Sequence, residues 1–326
     1  MLRETRTGLF VEARGKRIAL DPTRKVKADY VFISHAHSDH LPPSVGDATV
    51  IASDATVRLA RERGLKIDGH TEELPGIELV DTGHILGSRG MLADGVFYYT
   101  GDLGGRRRAF MPRARPVSCE TLLMESTYGR ENFAFPPLAT VLTAANRLIA
   151  AACESGRPVL VEGYPLGKSQ VLTYLLQSWS PLYLYGSVKP FNDIYREFGV
   201  ELPECHAHLS SPADLRKMAG KPGVLIFPAT GFRGEARAEA RRLGALTLRF
   251  TGWAMDVGRS RGDGHMLPIS DHADYQELVS FARDCKPQQV LTTHGSSAEL
   301  ALALRRLGFS AKSLTERQLS LTEYLD

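Results

Sequence analysis

Short apolar runs, each closed by a glycine or a polar turn, recur along the first third of the chain. Residues 16–20, 30–33, 50–52, 77–80, 96–100 and 121–124 are rich in Val, Ile, Leu, Phe and Tyr and predict strands. Over 55–63 and 138–153 the apolar period lengthens to that of an amphipathic helix. From 159 onward the two periods alternate. Strands are predicted at 159–162, 182–184, 224–227 and 246–250, and helices at 168–178, near 191–198 and at 234–242. The last segment gives a strand at 265–269, a helix at 275–284, a strand at 289–293 and a helix at 298–307. Such alternation predicts an α/β fold. No long linker, low-complexity tract or convincing repeat interrupts it.

Composition narrows this little. The 326 residues suffice for one large domain or two ordinary ones, and 43% hydrophobic content supplies ample core material. A net charge of +3 neither requires nor excludes a nucleic-acid partner, because a basic channel is a local feature. No apolar run approaches the ~20 residues of a membrane span, so no membrane association is expected. Residues 1–6 lead into no hydrophobic signal region. Cys119, Cys153, Cys205 and Cys285 are far apart and form no CxxC pair. They are expected to be reduced, packed residues of a cytoplasmic protein.

The chemistry is concentrated at strand ends. The apolar run at 30–33 leads into His35-Ala36-His37-Ser38-Asp39-His40, four metal-ligand types within six residues. Imidazole with carboxylate is the donor set of an open site for Zn²⁺, Mn²⁺ or Fe. Three more predicted strand ends each deliver one such group beside a glycine: Gly83-His84, Gly101-Asp102 and His294-Gly295. Each alone is an ordinary turn or capping residue; four strand ends with one chemistry form a joint signal. Seven groups suit two metals. One site would take His35, His37 and His84, the other Asp39, His40 and His294, with the two oxygens of Asp102 bridging them. Asp21 also ends a predicted strand and reads either as the residue that orients a ligand imidazole or as a simple turn before Pro22.

This pattern resembles the metallo-β-lactamase superfamily. The resemblance implies an αββα sandwich with two divalent ions, zinc first and Mn or Fe as alternatives, at one edge of its sheets. Two further segments resemble the β-CASP nuclease branch: Met124-Glu125-Ser126-Thr127-Tyr128-Gly129 and Ser270-Asp271-His272-Ala273-Asp274-Tyr275, with Thr293-His294-Gly295 as a third motif. The resemblance implies that Glu125 orients His272 and that His272 protonates the leaving oxygen. A carboxylate beside an imidazole raises its pKa and fixes its tautomer, which suits a general acid. Asp271 stands where Ala is commoner, and either tunes His272 or caps the following helix.

The branch also implies an α/β cap domain inserted into the sandwich. The expected limits are 1–164 and 256–326 for the two parts of the sandwich and 165–255 for the cap. The helix beginning near Lys168 and Ser169 would offer backbone N–H groups to phosphate. Within the branch the chain looks most like the DNA ligase-associated exonuclease family. A two-metal 5′-to-3′ exonuclease on DNA in repair is therefore expected, partnered by single-stranded nucleic acid and by a ligase or helicase. The same chemistry on RNA is the alternative, since a His at position 294 resembles RNA-cutting members. A small-molecule hydrolase of the glyoxalase kind is disfavoured by the Glu125 and His272 motifs and by the cap. Arg106-Arg107-Arg108, close after Asp102, would receive flanking phosphates or line a solvated loop. Arg233, Arg237, Arg241 and Arg242 on a cap helix read first as a solvated face and second as groove contacts, and Lys189, Arg259 and Arg261 are further groove candidates. Trp253 and Tyr275 read first as core or hinge residues and second as stacking candidates.

Overall fold

A computed structural model describes residues 2–5, 8–209, 211–219, 222–228, 234–256 and 264–314. Arg233, Arg259 and Arg261 lie outside the described residues. The first sheet runs in the order β1 (Leu2–Thr5), β2 (Gly8–Ala13), β3 (Lys16–Leu20), β4 (Tyr30–Phe32), β5 (Thr49–Ile51) and β6 (His70–Thr71). Its first three strands form an antiparallel meander and β3 to β6 are parallel. The second sheet begins with β7 (Ile77–Asp81), β8 (Arg89–Ala93), β9 (Phe97–Tyr99) and β10 (Thr121–Glu125).

The chain then builds a third, fully parallel sheet. It comprises β11 (Val159–Gly163), β12 (Leu182–Tyr185), β13 (Ala207–Leu209), β14 (Val224–Pro228), β15 (Leu246–Phe250) and β16 (His265–Leu267). It returns to complete the second sheet with β17 (Gln289–Thr293) and β18 (Ala311–Ser313), both parallel to β10. The helices are α1 (Asp54–Glu62), α2 (Leu138–Glu154), α3 (Lys168–Leu175), α4 (Lys189–Glu197), α5 (Pro212–Leu215), α6 (Glu235–Arg242), α7 (Tyr275–Cys285) and α8 (Ser297–Arg306).

The period of two sorts each strand between two cores. Val11, Ile18, Leu20, Phe32 and Ile51 from the first sheet meet Met91, Phe97, Tyr99, Leu123 and Leu291 from the second. Their sequence neighbours Phe10, Ala19, Val31 and Val50 turn outward to α1 and α4. Tyr98, Leu122, Met124 and Val290 turn outward to α7 and α8. This is an αββα sandwich. Each fully buried Leu, Ile or Phe contributes about 1.5–3 kcal/mol. The third sheet has its own cores, one against α2 and α3 and one against α5 and α6.

α2, β11 and β16 all pack with the third sheet, on the sandwich side of the expected cap limits of 165 and 255. Strand β8 is absent from the sequence reading because Gly90 interrupts its apolar run. The glycine has a packing reason: a Cβ there would lie 2.7 Å from the Tyr98 ring of β9. Among the described residues, no helix is long and apolar enough to cross a membrane.

Candidate metal centre

Parallel strands point their carboxyl ends the same way, and both sandwich sheets present such ends at one edge. Asp21 follows β3, and His35, His37 and His40 follow β4, with His40 closing a short 3₁₀ turn. His84 follows β7 and Asp102 follows β9. Glu125 ends β10 and His294 follows β17, where Glu125 pairs in register with Thr293. His294 and Gly295 both have positive φ, at 60° and 53°. The Ser126 hydroxyl holds this turn by donating to the carbonyls of Thr293 and His294, at 2.8 and 2.5 Å.

Three donor groups share Asp102, the third being Asp102 with Glu125 and His272. His35, His37, His84 and Asp102 have ligand atoms all within 4.8 Å of one another, as do His40, Asp102 and His294. Asp102 divides its oxygens between the first two. Oδ2 lies 3.3 Å from His35 Nε2 and 3.4 Å from His84 Nε2, and Oδ1 lies 3.4 Å from His40 Nε2.

The outer hydrogen bonds of the imidazoles decide what faces inward. His37 Nε2 donates to the Leu166 carbonyl at 3.1 Å, and His84 Nδ1 to the Asp271 carbonyl at 3.1 Å. A carbonyl only accepts, so the inner atoms, His37 Nδ1 and His84 Nε2, present lone pairs. These two lone pairs stand 3.1 Å apart. Ser34 Oγ donates to Asp21 Oδ2, so it accepts from His35 Nδ1 at 3.0 Å. His35 Nε2 is then a third inward lone pair, fully buried and without a hydrogen-bond partner. Buried lone pairs converging on a carboxylate repel one another unless a cation lies between them. The residues therefore fit divalent ions, with one group of ligands on each side of Asp102.

Protonation states agree with this. Burial, reinforced by neighbouring His charge, pushes His35 and His84 below the ordinary imidazole range and His37 to about 3. All three are neutral, the form that ligates metal. Burial also opposes charge on His40, but Asp102, Asp21 and Asp39 outweigh it and raise it to about 10. Asp21 fixes that ring: its carboxylate accepts from His40 Nδ1 at 2.8 Å, Tyr99 Oη at 2.8 Å and the Ser34 amide at 2.7 Å.

Beside this cluster lies a second constellation. Glu125 is fully buried and accepts from the Leu103 amide at 2.7 Å and the Thr127 amide at 3.2 Å. Its two oxygens lie 2.9 and 3.1 Å from His272 Nδ1. Burial lowers the pKa of His272, but Glu125 and then Asp102 reverse this and raise it to about 9. The His272 ring is 4.5 Å from His84 and 6.0 Å from Tyr128, centroid to centroid.

Several expected site residues are placed otherwise. Asp39 is exposed and joins neither ligand group. Arg106 spends its guanidinium on Asp274, Glu277 and the Phe135 carbonyl. Arg108 is buried and donates to the Gly83 and His84 carbonyls at 2.8 and 3.2 Å. Neither is open to phosphate; Arg107 alone of the triplet is exposed. Lys168 is buried, with Nζ 3.0 Å from the Ile269 carbonyl and 3.3 Å from Asp271 Oδ2. The Ser169 hydroxyl and amide both donate to the Tyr164 carbonyl. The Lys168 ammonium and the Ser169 hydroxyl and amide are thus engaged within the chain. Asp274, not Asp271, caps α7 by accepting from the Glu277 amide. On the groove candidates, Arg242 pairs with Glu239 and Lys189 with Asp193. Tyr275 is core, and Trp253 packs on Tyr128 and Phe133. Ser34, Tyr99 and the Leu166 and Asp271 carbonyls, which hold the ligands, were not anticipated; Tyr99 had only a strand signal and a backbone carbonyl has none.

Comparisons with known proteins agree with the fold. A sequence-family profile described as the Zn-dependent metallo-hydrolase RNA specificity domain matches residues 262–312. A probable DNA ligase of Opitutus terrae is 38% identical over 309 residues, covering 87% of this chain and 28% of the ligase. The 5′ exonuclease Apollo of Gallus gallus is 25% identical over 296 residues, 80% of this chain and 57% of its own. DNA ligase 6 of Arabidopsis thaliana is 22% identical over 311 residues, 82% and 22%. The chain thus spans only part of these relatives, little more than a quarter of the first. A protein of unknown function from Enterococcus faecalis V583 shares the fold, with a TM-score of 0.56 at 15% identity over 89% of this chain and 79% of that one. The αββα sandwich, its shared-carboxylate ligand cluster and these relatives place the chain in the metallo-β-lactamase superfamily. Within it, the chain belongs to the β-CASP branch and is related to the DNA ligase-associated exonuclease family.

Proposed function

We propose that the protein is a two-metal nuclease that hydrolyses phosphodiester bonds, acting as a 5′-to-3′ exonuclease on DNA in repair. The observation that carries this reading is the Glu125–His272 pair set against the ligand groups that share Asp102. One ion would be held by His35, His37, His84 and Asp102. The other would be held by His40, Asp102 and His294, with Asp39 beside it. Zinc suits this mix of imidazole and carboxylate, and Mn or Fe is accepted by the same donors. When bound, the pair supplies an acidified water and neutralises charge on the phosphodiester.

The chain's own residues do the rest. Glu125 takes the Nδ1 proton of His272 as a hydrogen bond, so Nε2 is the atom left to protonate the leaving oxygen. Asp21 holds His40, while the Leu166 and Asp271 carbonyls hold His37 and His84 with their lone pairs inward.

DNA is favoured by the ligase and Apollo relatives, and the fusion of a similar segment to ligases suggests a ligase-type partner. RNA is the second reading, favoured by the description of the profile that matches residues 262–312. Matched single-stranded DNA and RNA, labelled at either end and carrying 5′-phosphate or 5′-hydroxyl, separate the readings. Mononucleotides released from the 5′ end of DNA support the proposal. A ladder on RNA alone moves the assignment to RNA, and no cleavage of either polymer refutes the nuclease reading.

A further inference from the structure

Two of the inward-facing imidazoles owe their orientation to the cap and its connection. The Leu166 carbonyl, which fixes His37, lies in the loop between β11 and α3, at the cap's edge. The Asp271 carbonyl, which fixes His84, lies where the chain leaves β16 and returns to the sandwich. Lys168 joins these places. It opens α3 in the cap, and its ammonium reaches the Ile269 carbonyl and the Asp271 carboxylate on the return segment. Both side chains are about 4% exposed, so the pair is out of water. Arg108 reinforces the same corner by holding the backbone of Gly83 and His84.

A buried cation facing a buried anion has few acceptable geometries, because each loses its nearest charged partner when they separate. Such a pair suits a two-position contact better than a graded one. If the cap edge moves, the Leu166 carbonyl moves from His37; if the return segment moves, the Asp271 carbonyl moves from His84. We propose that Lys168 and Asp271 form a clasp between cap and sandwich that positions His37 and His84, so that cap closure and metal binding at the first ligand group are coupled. Both are positioning residues: neither touches the reacting atoms. The inference rests on the metal reading of the site, and the coupling runs in both directions, because linkage is reciprocal.

Replacing one partner strands the other in the interior, so the decisive variant removes both charges: Lys168→Met with Asp271→Ala. Metal-stripped wild type and variant are titrated with zinc against a chromophoric chelator. Amide exchange of residues 164–171 is followed with and without zinc, and near-UV circular dichroism checks that the variant is folded. The proposal expects zinc affinity at one site to fall about 10- to 100-fold, the usual effect of losing a group that orients a ligand. It also expects zinc to slow exchange at 164–171 in wild type and to lose that effect in the variant. A folded variant with wild-type affinity and zinc-dependent protection overturns the clasp alone. A wild-type chain that binds no zinc, Mn or Fe overturns the metal reading and the clasp together. Should the double variant not fold, the single Asp271→Asn keeps the volume, and the same two readouts decide.

Discussion

Substituting Glu125 by Gln isolates the general-acid pair without changing its shape. Glu125 now takes hydrogen bonds from three directions: the Leu103 amide at 2.7 Å, the Thr127 amide at 3.2 Å and His272 Nδ1 at 2.9 and 3.1 Å. Glutamine keeps one acceptor and turns an NH₂ toward a donor. The longer Thr127 contact is the one most easily given up. An unpaired part-buried amide costs about 1–3 kcal/mol at most, a fall of roughly 1–5 °C in Tm for a chain of this size.

The catalytic consequence is larger. Burial alone would depress His272, and Glu125 is the first of the charges that raise it to about 9. A general acid must carry its proton, so activity falls as pH rises through its pKa. Removing the carboxylate charge moves that alkaline limb down by about one pH unit or more. The rate on the plateau falls by about 10²–10⁴-fold, the usual worth of a positioned acid. Initial rates on a 5′-labelled oligonucleotide between pH 6 and pH 10 read both effects. An unmoved alkaline limb, or a rate within threefold of wild type, refutes the role assigned to the pair.

Three other outcomes follow from the same contacts. Arg107→Ala should weaken oligonucleotide binding and reduce the slope of log affinity against log salt by about one. Arg106→Ala should leave that slope unchanged and lower stability, because its partners Asp274 and Glu277 are part-buried; equal slopes for both variants contradict this division. Stripping the ions with a chelator should lower the thermal midpoint, since a ligand at 1,000 times its Kd contributes about 4 kcal/mol. A midpoint unaffected by chelator contradicts tight binding at this cluster. Leu123→Ala, at the centre of the inter-sheet core, should cost about 2–5 kcal/mol in denaturant unfolding with metal occupancy per folded chain unchanged.

What the sequence made legible depended on how local each signal was. Residues 289–293 read as a strand because their pattern is confined to the segment, and β17 has those limits. β1 and β2 were missed because Leu2–Thr5, at the sheet edge, and Gly8–Ala13 beside it are short and mix charged and apolar residues. Ligand types were legible because each stands at a strand end beside glycine or in one dense run. Their orientation was not, because His37 and His84 are fixed by the backbone carbonyls of Leu166 and Asp271, 129 and 187 residues away. The basic triplet misled for the same reason. Arg106 meets Asp274 and Glu277, 168 and 171 residues downstream, and no local pattern announces that neutralisation. Nothing local to 138–154 announces that α2, which precedes β11, packs on the third sheet.

Two ions, held by ligand groups that share Asp102, would both be needed to cleave a phosphodiester bond. The most direct measurement adds Zn²⁺ or Mn²⁺ stepwise to the stripped protein and records bound metal and oligonucleotide cleavage in the same samples. Cleavage should rise steeply only as the second equivalent binds and level off at about two ions per chain. Full activity at one equivalent, or no cleavage with two ions bound, contradicts this.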